Sequence, residues 1–462
     1  MGRYVLYGGN AVTGERSGTA LVVVDGDRIR KVVFEDEASY AEETGSALSG
    51  KGEYEGFERI CVSGRYVFAG GIDAHVHFRE PGLTGKADLE TESGAAVAGG
   101  VTSFIDMPNT KPATVSAGAL LEKLDLARGR CHANYGFHIG ADNGNSKEIR
   151  ETLRNMGNRV GGVKVFMGSS TGGMLVDRGN ALEDFFSLKD KTVLVHCEDE
   201  RLIREGLEKA REKWGEDIPF EAHPQIRSRR ACILSSLKAL ETAIRLGTKL
   251  HLCHVSTKEE AEMVRAAKLN NPLITAETSI NYLHFCDEDY ARLGSRVKCN
   301  PAIKTDDDRQ ALREALASGV IDCLASDHAP HLAQEKQGRY EKVPSGIPSI
   351  QFTLPFLLQI AQETEMPLTR AAEVFSEKPA EIFKIRDRGF LKEGYYADIV
   401  VFDPEAEHTV TDGEVISKCG WTPFAGEKVK GKVEMVFVNG EEAFGKDGLH
   451  REAGYGQELF FE

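Results

Sequence analysis

Two histidines with metal-binding chemistry, His75 and His77, stand two residues apart in the apolar stretch GGIDAHVHFRE at 70–80. Side chains on a β-strand alternate between its two faces, so residues two apart point the same way. Two neutral imidazoles on one face at a strand end can bind the same divalent metal ion. The pair alone is more typical of buried, hydrogen-bonded histidines, so the interpretation depends on the rest of the chain.

Single polar residues recur at the ends of later apolar runs. Asn109 follows the run at 101–106, nothing convincing follows 133–139, and Thr278 ends the run at 273–278. The other polar residues in or at the ends of such runs are Lys164 (162–167), His196 (192–197), His254 (249–255) and Asp327 (322–327). With the first pair they make four histidines, a lysine and an aspartate. This set predicts a metal centre, whereas each histidine alone would predict a residue of the core.

Lys164 lies between Val163 and Val165 in a run that is typical of a fully buried strand. Lysine is almost never fully buried unless it is paired. A buried amine can act as a nucleophile, and its reaction with CO2 would give a carbamate whose two oxygens can bridge two metal ions. The alternative is a lysine that is paired with a nearby carboxylate.

The elements that must position these residues are strands that alternate with helices between about residues 65 and 388. Eight strand-like runs lie at 70–80, 101–106, 133–139, 162–167, 192–197, 249–255, 273–278 and 322–327. Helical stretches between them include 89–98, 120–127, 258–269 and 306–316. Eight alternations predict an α/β fold, the (β/α)8 TIM barrel. Since the active site of such a barrel lies at the C-terminal ends of its strands, the polar residues should converge there.

Both ends of the chain are rich in short strands and turns. Runs at 20–24 and 28–34 flank the turn Asp25-Gly26-Asp27, which is typical of a hairpin. We expect 1–64 and 389–462 to pair into one small β-sandwich beside a barrel at 65–388, because chain termini often lie close together.

The composition limits the class of protein. The 462 residues carry a net charge of −15, which argues against nucleic acid and anionic membranes as partners. No apolar run approaches the roughly 18 residues of a membrane span, and the first residues do not resemble a signal peptide. The nine cysteines are scattered without CxxC pairs, so we expect a cytoplasmic protein without structural disulfides. A small-molecule substrate fits best, and an anionic one would require local cations.

Five short motifs carry a resemblance to a known family. They are HVHFREPG at 75–82, MPNTKP at 107–112, VHCED at 195–199, CHVS at 253–256 and SDHAPH at 326–331. Together and in this order they resemble the amidohydrolase superfamily and, within it, the dihydroorotases. The similarity spans essentially the whole chain, including the segment GYYAD at 394–398, which is typical of the accompanying sandwich.

The resemblance implies a binuclear zinc centre. Carried over to this sequence, its ligands are His75, His77 and Asp327 for one metal, His196 and His254 for the other, and a carboxylated Lys164 as the bridge. Many bacterial dihydroorotases have Asp at the position of Lys164, whereas the multifunctional eukaryotic enzymes and the hydantoinases have lysine, which favours the carbamate. Histidine and carboxylate ligands also accept cobalt or manganese. Asp327 would in addition accept the proton of the attacking water and deliver it to the leaving ring nitrogen.

The resemblance also implies the reaction, which is the reversible cyclisation of N-carbamoyl-L-aspartate to dihydroorotate in pyrimidine biosynthesis. Arg79, Asn109 and His331 would hold the carboxylate of the substrate. A guanidinium suits this role because its planar fork matches a carboxylate in two hydrogen bonds. Asn300 and backbone groups near Gly346 would hydrogen-bond the ring.

Relatives with the same metal ligands leave alternatives open. Hydantoinases (dihydropyrimidinases) and allantoinases act on substrates without this ring carboxylate, so they have no need of Arg79, Asn109 and His331. The loop 278–284 lacks the Pro-His-His of many relatives, and 345–349 leans towards the hydantoinases. Non-catalytic scaffold homologues typically lose metal ligands, and none is missing here. Relatives are dimers or tetramers, so we expect a homo-oligomer by analogy.

Overall fold

The chain folds into a barrel of parallel strands and a second sheet that both chain ends build. The computed structural model describes residues 2–168, 174–450 and 454–462. Before the barrel come β1 (Arg3–Val12), β2 (Ser17–Asp25), β3 (Arg28–Phe34), β4 (Glu58–Cys61) and β5 (Tyr66–Ala69). The barrel strands are β6 (Gly71–Val76), β7 (Val101–Asp106), β8 (Asn134–Gly140), β9 (Val160–Phe166), β10 (Val193–His196), β11 (Leu250–Leu252), β12 (Thr275–Ser279) and β13 (Cys323–Ala325). The last strands are β14 (Ile399–Thr409), β15 (Lys428–Val438), β16 (Glu441–Gly445) and β17 (Gly448–Leu449).

The predicted (β/α)8 barrel is confirmed. Each strand from β6 to β13 pairs in parallel with the next. Val76 at the end of β6 pairs with His328 beyond β13, and the His77 amide donates to the His328 carbonyl over 2.8 Å, which closes the barrel. The strands β6 to β9 are buried along their whole length. Strands that are covered on both faces read as apolar runs, which is why the sequence pattern located them.

Helices connect the strands; the first of them packs on β2 and β3 of the terminal sheet, and the barrel is covered by later ones. In chain order they are α1 (Tyr40–Ser49), α2 (Leu89–Ala98), α3 (Ala117–Ala127), α4 (Ser146–Met156), α5 (Gly179–Phe186), α6 (Glu200–Trp214), α7 (His223–Ile226), α8 (Arg229–Leu246), α9 (Lys258–Lys268), α10 (Ile280–His284), α11 (Asp289–Leu293), α12 (Asp306–Ala317), α13 (Thr353–Glu363), α14 (Leu368–Ala372) and α15 (Lys378–Phe383). The helical stretches predicted from the sequence are α2, α3, α9 and α12. A reciprocal capping box of Thr305 and Asp308 starts α12. Across the described ranges, no helix combines the length and apolar character needed to cross a membrane.

The terminal segments form one folded sheet. Its strand order is β17-β16-β15-β14-β5-β1-β2-β3, and β4 also pairs with β1. The ring of Tyr4 on β1 stacks on Phe437 of β15 with centroids 4.6 Å apart, although β5 and β14 lie between these strands in the pairing order. The sheet therefore folds back on itself and encloses an apolar core, so the predicted sandwich consists of one continuous sheet. Because β5 belongs to this sheet, the chain enters the barrel at Gly70, a few residues after the expected boundary at 64.

A buried ion pair joins the sheet to the barrel. Arg388 and Asp398 contact each other, and each side chain is only 3% exposed. Asn134 at the start of β8 donates to the Asp398 carboxylate over 3.1 Å, and Arg388 donates to Asn439, just after β15, over 2.8 Å. These contacts link a barrel strand to the end of a sheet strand, so the pair fixes how the sheet docks.

We expect Arg388→Met to lower the free energy of unfolding by roughly 3–5 kcal/mol, because the buried Asp398 carboxylate loses its partner. Urea unfolding followed by circular dichroism measures this change. Arg386→Met is the matched control, since Arg386 is exposed and such surface changes stay within about 0.5 kcal/mol. Equal stability of the two variants would show that the ion pair does not hold the sheet in place.

Candidate metal centre and active site

One cavity at the C-terminal ends of the barrel strands gathers the residues that the sequence singled out. Its volume is about 280 Å³. The predicted metal ligands and substrate residues that line it are His75, His77, Arg79, Asn109, Lys164, His196, His254, Asn300, Asp327, His331 and Gly346. Phe166, Cys299, Ala329, Pro344 and Ser345 complete its wall. The convergence expected from the strand ends is therefore present in the structure.

His75 and His77, at the end of β6, face Asp327 just after β13. Their Nε2 atoms lie 3.5 Å and 3.2 Å from Asp327 Oδ1. The Nδ1 of His75 contacts the Glu277 carboxylate, and the Nδ1 of His77 lies 2.7 Å from Asn109 Oδ1. Because each Nδ1–H donates to an oxygen, each Nε2 keeps its lone pair on the side of Asp327.

His196 and His254 form a second pair of imidazoles. His196 Nδ1 and His254 Nε2 lie 2.9 Å apart. His196 Nε2 lies 3.0 Å from Glu198, whose carboxylate also accepts from the Arg227 guanidinium over 3.1 Å. The Glu198 carboxylate therefore holds the proton of His196 on Nε2 and leaves the Nδ1 lone pair towards His254. The buried Nδ1 of His254 has no hydrogen-bond partner among the described residues.

Burial sets the charge state of these groups. It lowers the pKa of His75 to about 4 and the pKa of His254 well below its usual value, and it also lowers the pKa of His196. These imidazoles are therefore neutral at pH 7, which is the form that binds metal ions. Burial by itself raises the pKa of Asp327, but the contacts with His75 and His77 outweigh it, so that the pKa is lowered and Asp327 is a carboxylate.

Lys164 lies on β9, fully buried, with its Nζ 3.0 Å from Cys253 Sγ. The ion pairs of the described residues do not include Lys164, so the alternative of a carboxylate-paired lysine is not what the structure shows. An amine without an anionic partner in such a place is costly as a cation. Its position on the cavity wall between the two histidine pairs suits a group that contacts both.

These residues fit a pair of divalent cations. The ligand atoms of His75, His77 and Asp327 all lie within 4.8 Å of one another. Zn²⁺, Co²⁺ and Mn²⁺ bind neutral imidazoles and carboxylates as ligands. Hydrogen bonds at the outer nitrogens of these imidazoles direct the inner lone pairs towards the metal position. The unpartnered Nδ1 of His254 belongs to a ring whose other nitrogen faces His196. A cation bound beside His196 Nδ1 and His254 Nε2 would take the lone pairs of both nitrogens.

Three residues of the site have backbone conformations that are rare outside glycine. The φ angles of Arg79, His254 and Asp327 are +70°, +37° and +49°. Such conformations cost about 1–3 kcal/mol each and persist where the surrounding structure fixes them. They direct these three side chains from the strand ends into the cavity.

Arg79, a cationic residue, lines the same cavity as the histidines and Asp327. Arg79 donates through Nε to the Pro330 carbonyl over 3.1 Å, and its Nη2 lies 3.1 Å from His331 Nε2. Arg79 takes part in no ion pair with another described residue, so its guanidinium can bind an anion in the cavity. Lys86 approaches the other side of His331, with Nζ 3.0 Å from Nδ1.

Asn300 and Gly346 lie on the same side of the cavity. The side-chain oxygen of Asn300 is buried and has no partner among the described residues. The Gly346 amide donates to the Lys298 carbonyl over 2.9 Å, and its carbonyl accepts from Lys336 over 3.0 Å. A Cβ at Gly346, whose φ is +146°, would lie 2.4 Å from the Ala329 carbonyl. Glycine is required there, while its amide hydrogen is already used within the protein.

Sequence reasoning missed two carboxylates that orient the histidines, Glu277 and Glu198. Glu277 lies inside β12, where the sequence analysis singled out Thr278 instead. The Thr278 hydroxyl donates to the Val255 carbonyl over 2.8 Å and does not line the cavity. A charged residue inside an apolar run, the signal that identified Lys164, would also have found Glu277. The loop 278–284, which lacks the Pro-His-His of many relatives, continues as the helix α10 and lines no part of this cavity.

A parallel barrel that carries these donors at its strand ends is the architecture of a metal-dependent hydrolase. A model of the amidohydrolase family matches residues 66–443, and the chain belongs to this family.

Two relatives and one solved structure illustrate the similarity. The chain is 35% identical to a dihydroorotase of Methanosarcina acetivorans over 87% of this chain and 86% of that protein. It is 36% identical to a dihydroorotase of Methanosarcina mazei, over 79% and 81% of the two chains. The solved structure of an L-hydantoinase (dihydropyrimidinase) from Arthrobacter aurescens superposes with a TM-score of 0.91, at 25% identity and with full coverage of both chains.

We expect Glu277→Gln to weaken binding of divalent metal by roughly 10- to 100-fold, because the acceptor that orients the His75 ring is weakened. Glu277 also contacts His251 Nε2 at 3.0 Å, so both rings are affected. Competition with a chelator, followed by metal analysis, measures the affinity.

The matched control is Glu260→Gln. Glu260 is also buried, but it accepts from Ser236, Ser256 and Thr257 and from no histidine. Its variant should keep the metal affinity of the unchanged protein. If Glu277→Gln also kept that affinity, the orienting role of Glu277 would be refuted.

Proposed function

We propose that this protein is a dihydroorotase, which catalyses the reversible cyclisation of N-carbamoyl-L-aspartate to dihydroorotate. The observation that carries this proposal is that Arg79 and His331 contact each other and line the same cavity as the metal-type residues, with a guanidinium that makes no ion pair to another described residue. The similarity to two archaeal dihydroorotases supports the same substrate.

The substrate carboxylate is recognised by local cations. The chain as a whole is acidic, with a net charge of −15, so an anionic substrate needs positive charge inside the site. Arg79 offers two parallel N–H groups, a geometry that matches a carboxylate. Asn109 and His331 line the cavity beside it, and the free side-chain oxygen of Asn300 can accept a ring N–H.

The metal ligands proposed for one cation are His75, His77 and Asp327, and for the other His196 and His254, with Lys164 as a CO2-derived carbamate between them. We propose two Zn²⁺ per subunit, with Co²⁺ or Mn²⁺ as substitutes. Bound cations would acidify a water molecule and polarise the amide carbonyl of the substrate. The absence of an ion pair to Lys164 among the described residues supports the carbamate, because the modification turns a lone buried amine into an anion.

Asp327 moves the proton in this proposal. Its lowered pKa makes it a carboxylate before the reaction. In ring opening it accepts a proton as the water oxygen bonds to the ring carbonyl carbon, and it delivers this proton to the ring nitrogen as the C–N bond breaks. Cyclisation reverses these transfers and releases water. Arg79 meanwhile fixes the carboxylate so that the amide lies beside Asp327.

The second candidate is a hydantoinase, dihydropyrimidinase or allantoinase. The fold similarity to the Arthrobacter hydantoinase favours it, since that barrel is nearly superposable. Substrates without a ring carboxylate would leave the Arg79 guanidinium unpaired, which disfavours it. A non-catalytic scaffold is disfavoured because the expected metal ligands are present.

The remaining expectations are part of the proposal. We propose a homo-oligomer, dimer or tetramer, in the cytoplasm, with the sheet built by the two chain ends and the barrel between them, from Gly70 to about residue 388. All nine cysteines are free thiols, and eight of them are buried, which supports a reducing compartment.

An ultraviolet assay of ring opening tests the substrate. We expect turnover of dihydroorotate well above that of dihydrouracil, hydantoin and allantoin, because only dihydroorotate offers a carboxylate to Arg79. The assay uses the full chain purified without chelator. Turnover of dihydrouracil but not dihydroorotate would refute the proposed substrate, and protein that takes up no zinc, cobalt or manganese would favour the scaffold.

We expect Arg79→Met to lower kcat/KM for dihydroorotate by roughly 10²- to 10³-fold, the loss of two hydrogen bonds between charged groups. Metal content should stay unchanged, since the Arg79 side chain contacts the carbonyl of Pro330 and His331 rather than a proposed ligand. Arg339→Met, at an exposed position on the loop that carries His331, is the control and should retain activity. Loss of metal in Arg79→Met would show that its assigned role is wrong.

A further inference from the structure

The ring of His331 is approached by hydrogen-bond donors at both nitrogens. At Nδ1, the Lys86 ammonium lies 3.0 Å away. At Nε2, the Arg79 guanidinium lies 3.1 Å away and the Ser345 carbonyl also lies 3.1 Å away. The Glu335 carboxylate lies 3.8 Å from Nδ1, which is too far for a hydrogen bond.

These contacts select one tautomer of a neutral imidazole. Burial and the nearby charges of Arg79 and Lys86 lower the pKa of His331, so the ring is uncharged and carries one N–H. A proton on Nδ1 would face the Lys86 ammonium, which has no acceptor, and would find no other partner within hydrogen-bond distance among the described residues. A proton on Nε2 leaves Nδ1 to accept from Lys86 and donates to the Ser345 carbonyl, while the Arg79 guanidinium, which only donates, lies beside this N–H without a hydrogen bond to the ring. The second arrangement makes one more hydrogen bond.

We propose that Lys86 is a positioning residue that makes His331 a donor towards the substrate carboxylate. This inference rests on the proposed function. With Lys86 donating to Nδ1, the Nε2–H of His331 lies beside the Arg79 guanidinium, whose Nη2 is 3.1 Å away, and both residues line the cavity. A bound carboxylate would replace the Ser345 carbonyl as the acceptor of this hydrogen. Donors that lie side by side in this way suit an anionic oxygen that accepts from both. With the other tautomer, a lone pair of His331 would face the carboxylate and repel it.

Contacts with neighbouring residues fix the positions of Lys86 and His331. The Lys86 amide donates to the Leu83 carbonyl over 3.0 Å, and its ammonium also pairs with Glu335 at 3.0 Å. The carbonyl of His331 accepts from Trp421 Nε1 over 2.7 Å. The Lys86 side chain is 25% exposed, so its replacement leaves no buried cavity.

Kinetics of Lys86→Met give the first test. We expect KM for dihydroorotate to rise roughly tenfold while kcat stays within about twofold, the cost of one weakened hydrogen bond to a charged group. Turnover of dihydrouracil, if measurable, should not change, because it has no carboxylate. Lys86→Arg should restore KM, since arginine also only donates. An unchanged KM, or an equal change for both substrates, would contradict the proposal.

Glu335→Gln separates the contact with His331 from the ion pair. This variant removes the charge that pairs with Lys86 but leaves the Lys86–His331 contact, so KM should stay near that of the unchanged protein. If Glu335→Gln raised KM as much as Lys86→Met, the ion pair rather than the tautomer would be responsible, and the proposal would fail.

The tautomer itself can be observed without any turnover. Long-range proton–nitrogen correlation spectra of the ¹⁵N-histidine-labelled protein distinguish Nε2–H from Nδ1–H, and loss of signals in His331→Gln assigns them. We expect Nε2–H in the unchanged protein and a shift towards Nδ1–H in Lys86→Met. Nδ1–H in the unchanged protein, or the same tautomer in both, would overturn the inference. The tautomer of His331 is measured independently of the substrate, and the turnover assay reports separately whether dihydroorotate is that substrate.

Discussion

The site depends on hydrogen-bond acceptors that hold the outer nitrogens of its histidines. Glu277 on β12 holds His75, Asn109 beyond β7 holds His77, and Glu198 holds His196. A neutral imidazole has one lone pair, and its direction is set by whichever nitrogen carries the proton. Fixing that proton on the outside is therefore what turns a cluster of buried rings into a set of ligands that face one another.

This constraint explains why the barrel buries charged groups at some cost. Glu198 and Glu277 lie fully buried, where an uncompensated carboxylate would be strongly unfavourable. Glu198 is compensated by Arg227 and Glu277 by two histidines, and in both the pKa is lowered despite the burial that acts to raise it. Burial of the apolar strands around them supplies free energy that offsets the remaining cost of these buried carboxylates.

The sequence predicts the barrel and the inner residues of the site because both leave local signals. Runs such as the one around Lys164 are apolar since the strands are covered on both faces, and a polar residue within one is conspicuous. Glu277 is likewise a charged residue within an apolar run, but the position at the end of that run favours Thr278 instead. Lys86 leaves none: it is a half-exposed lysine in a turn, and only the folded chain brings it to His331, 245 residues away. The folding-back of the terminal sheet also escapes the sequence, because strand order depends on contacts between distant segments.

The reacting end and the carboxylate end of the proposed substrate would both contact residues on the two segments that follow β6 and β13, where the barrel closes. Asp73 on β6 accepts from the Ser326 amide after β13, and His77 donates to the His328 carbonyl, so the first and last strands are tied together at this point. The chain leaving β6 carries two metal-type histidines and then Arg79, and the chain leaving β13 carries Asp327 and then His331. The separation between the reacting end and the carboxylate end is thus set by backbone pairing rather than by flexible loops. Changes at Arg79 and His331 would therefore alter the carboxylate end of the site without moving the groups proposed to perform the chemistry, because those groups lie nearer the strand ends on the same two segments.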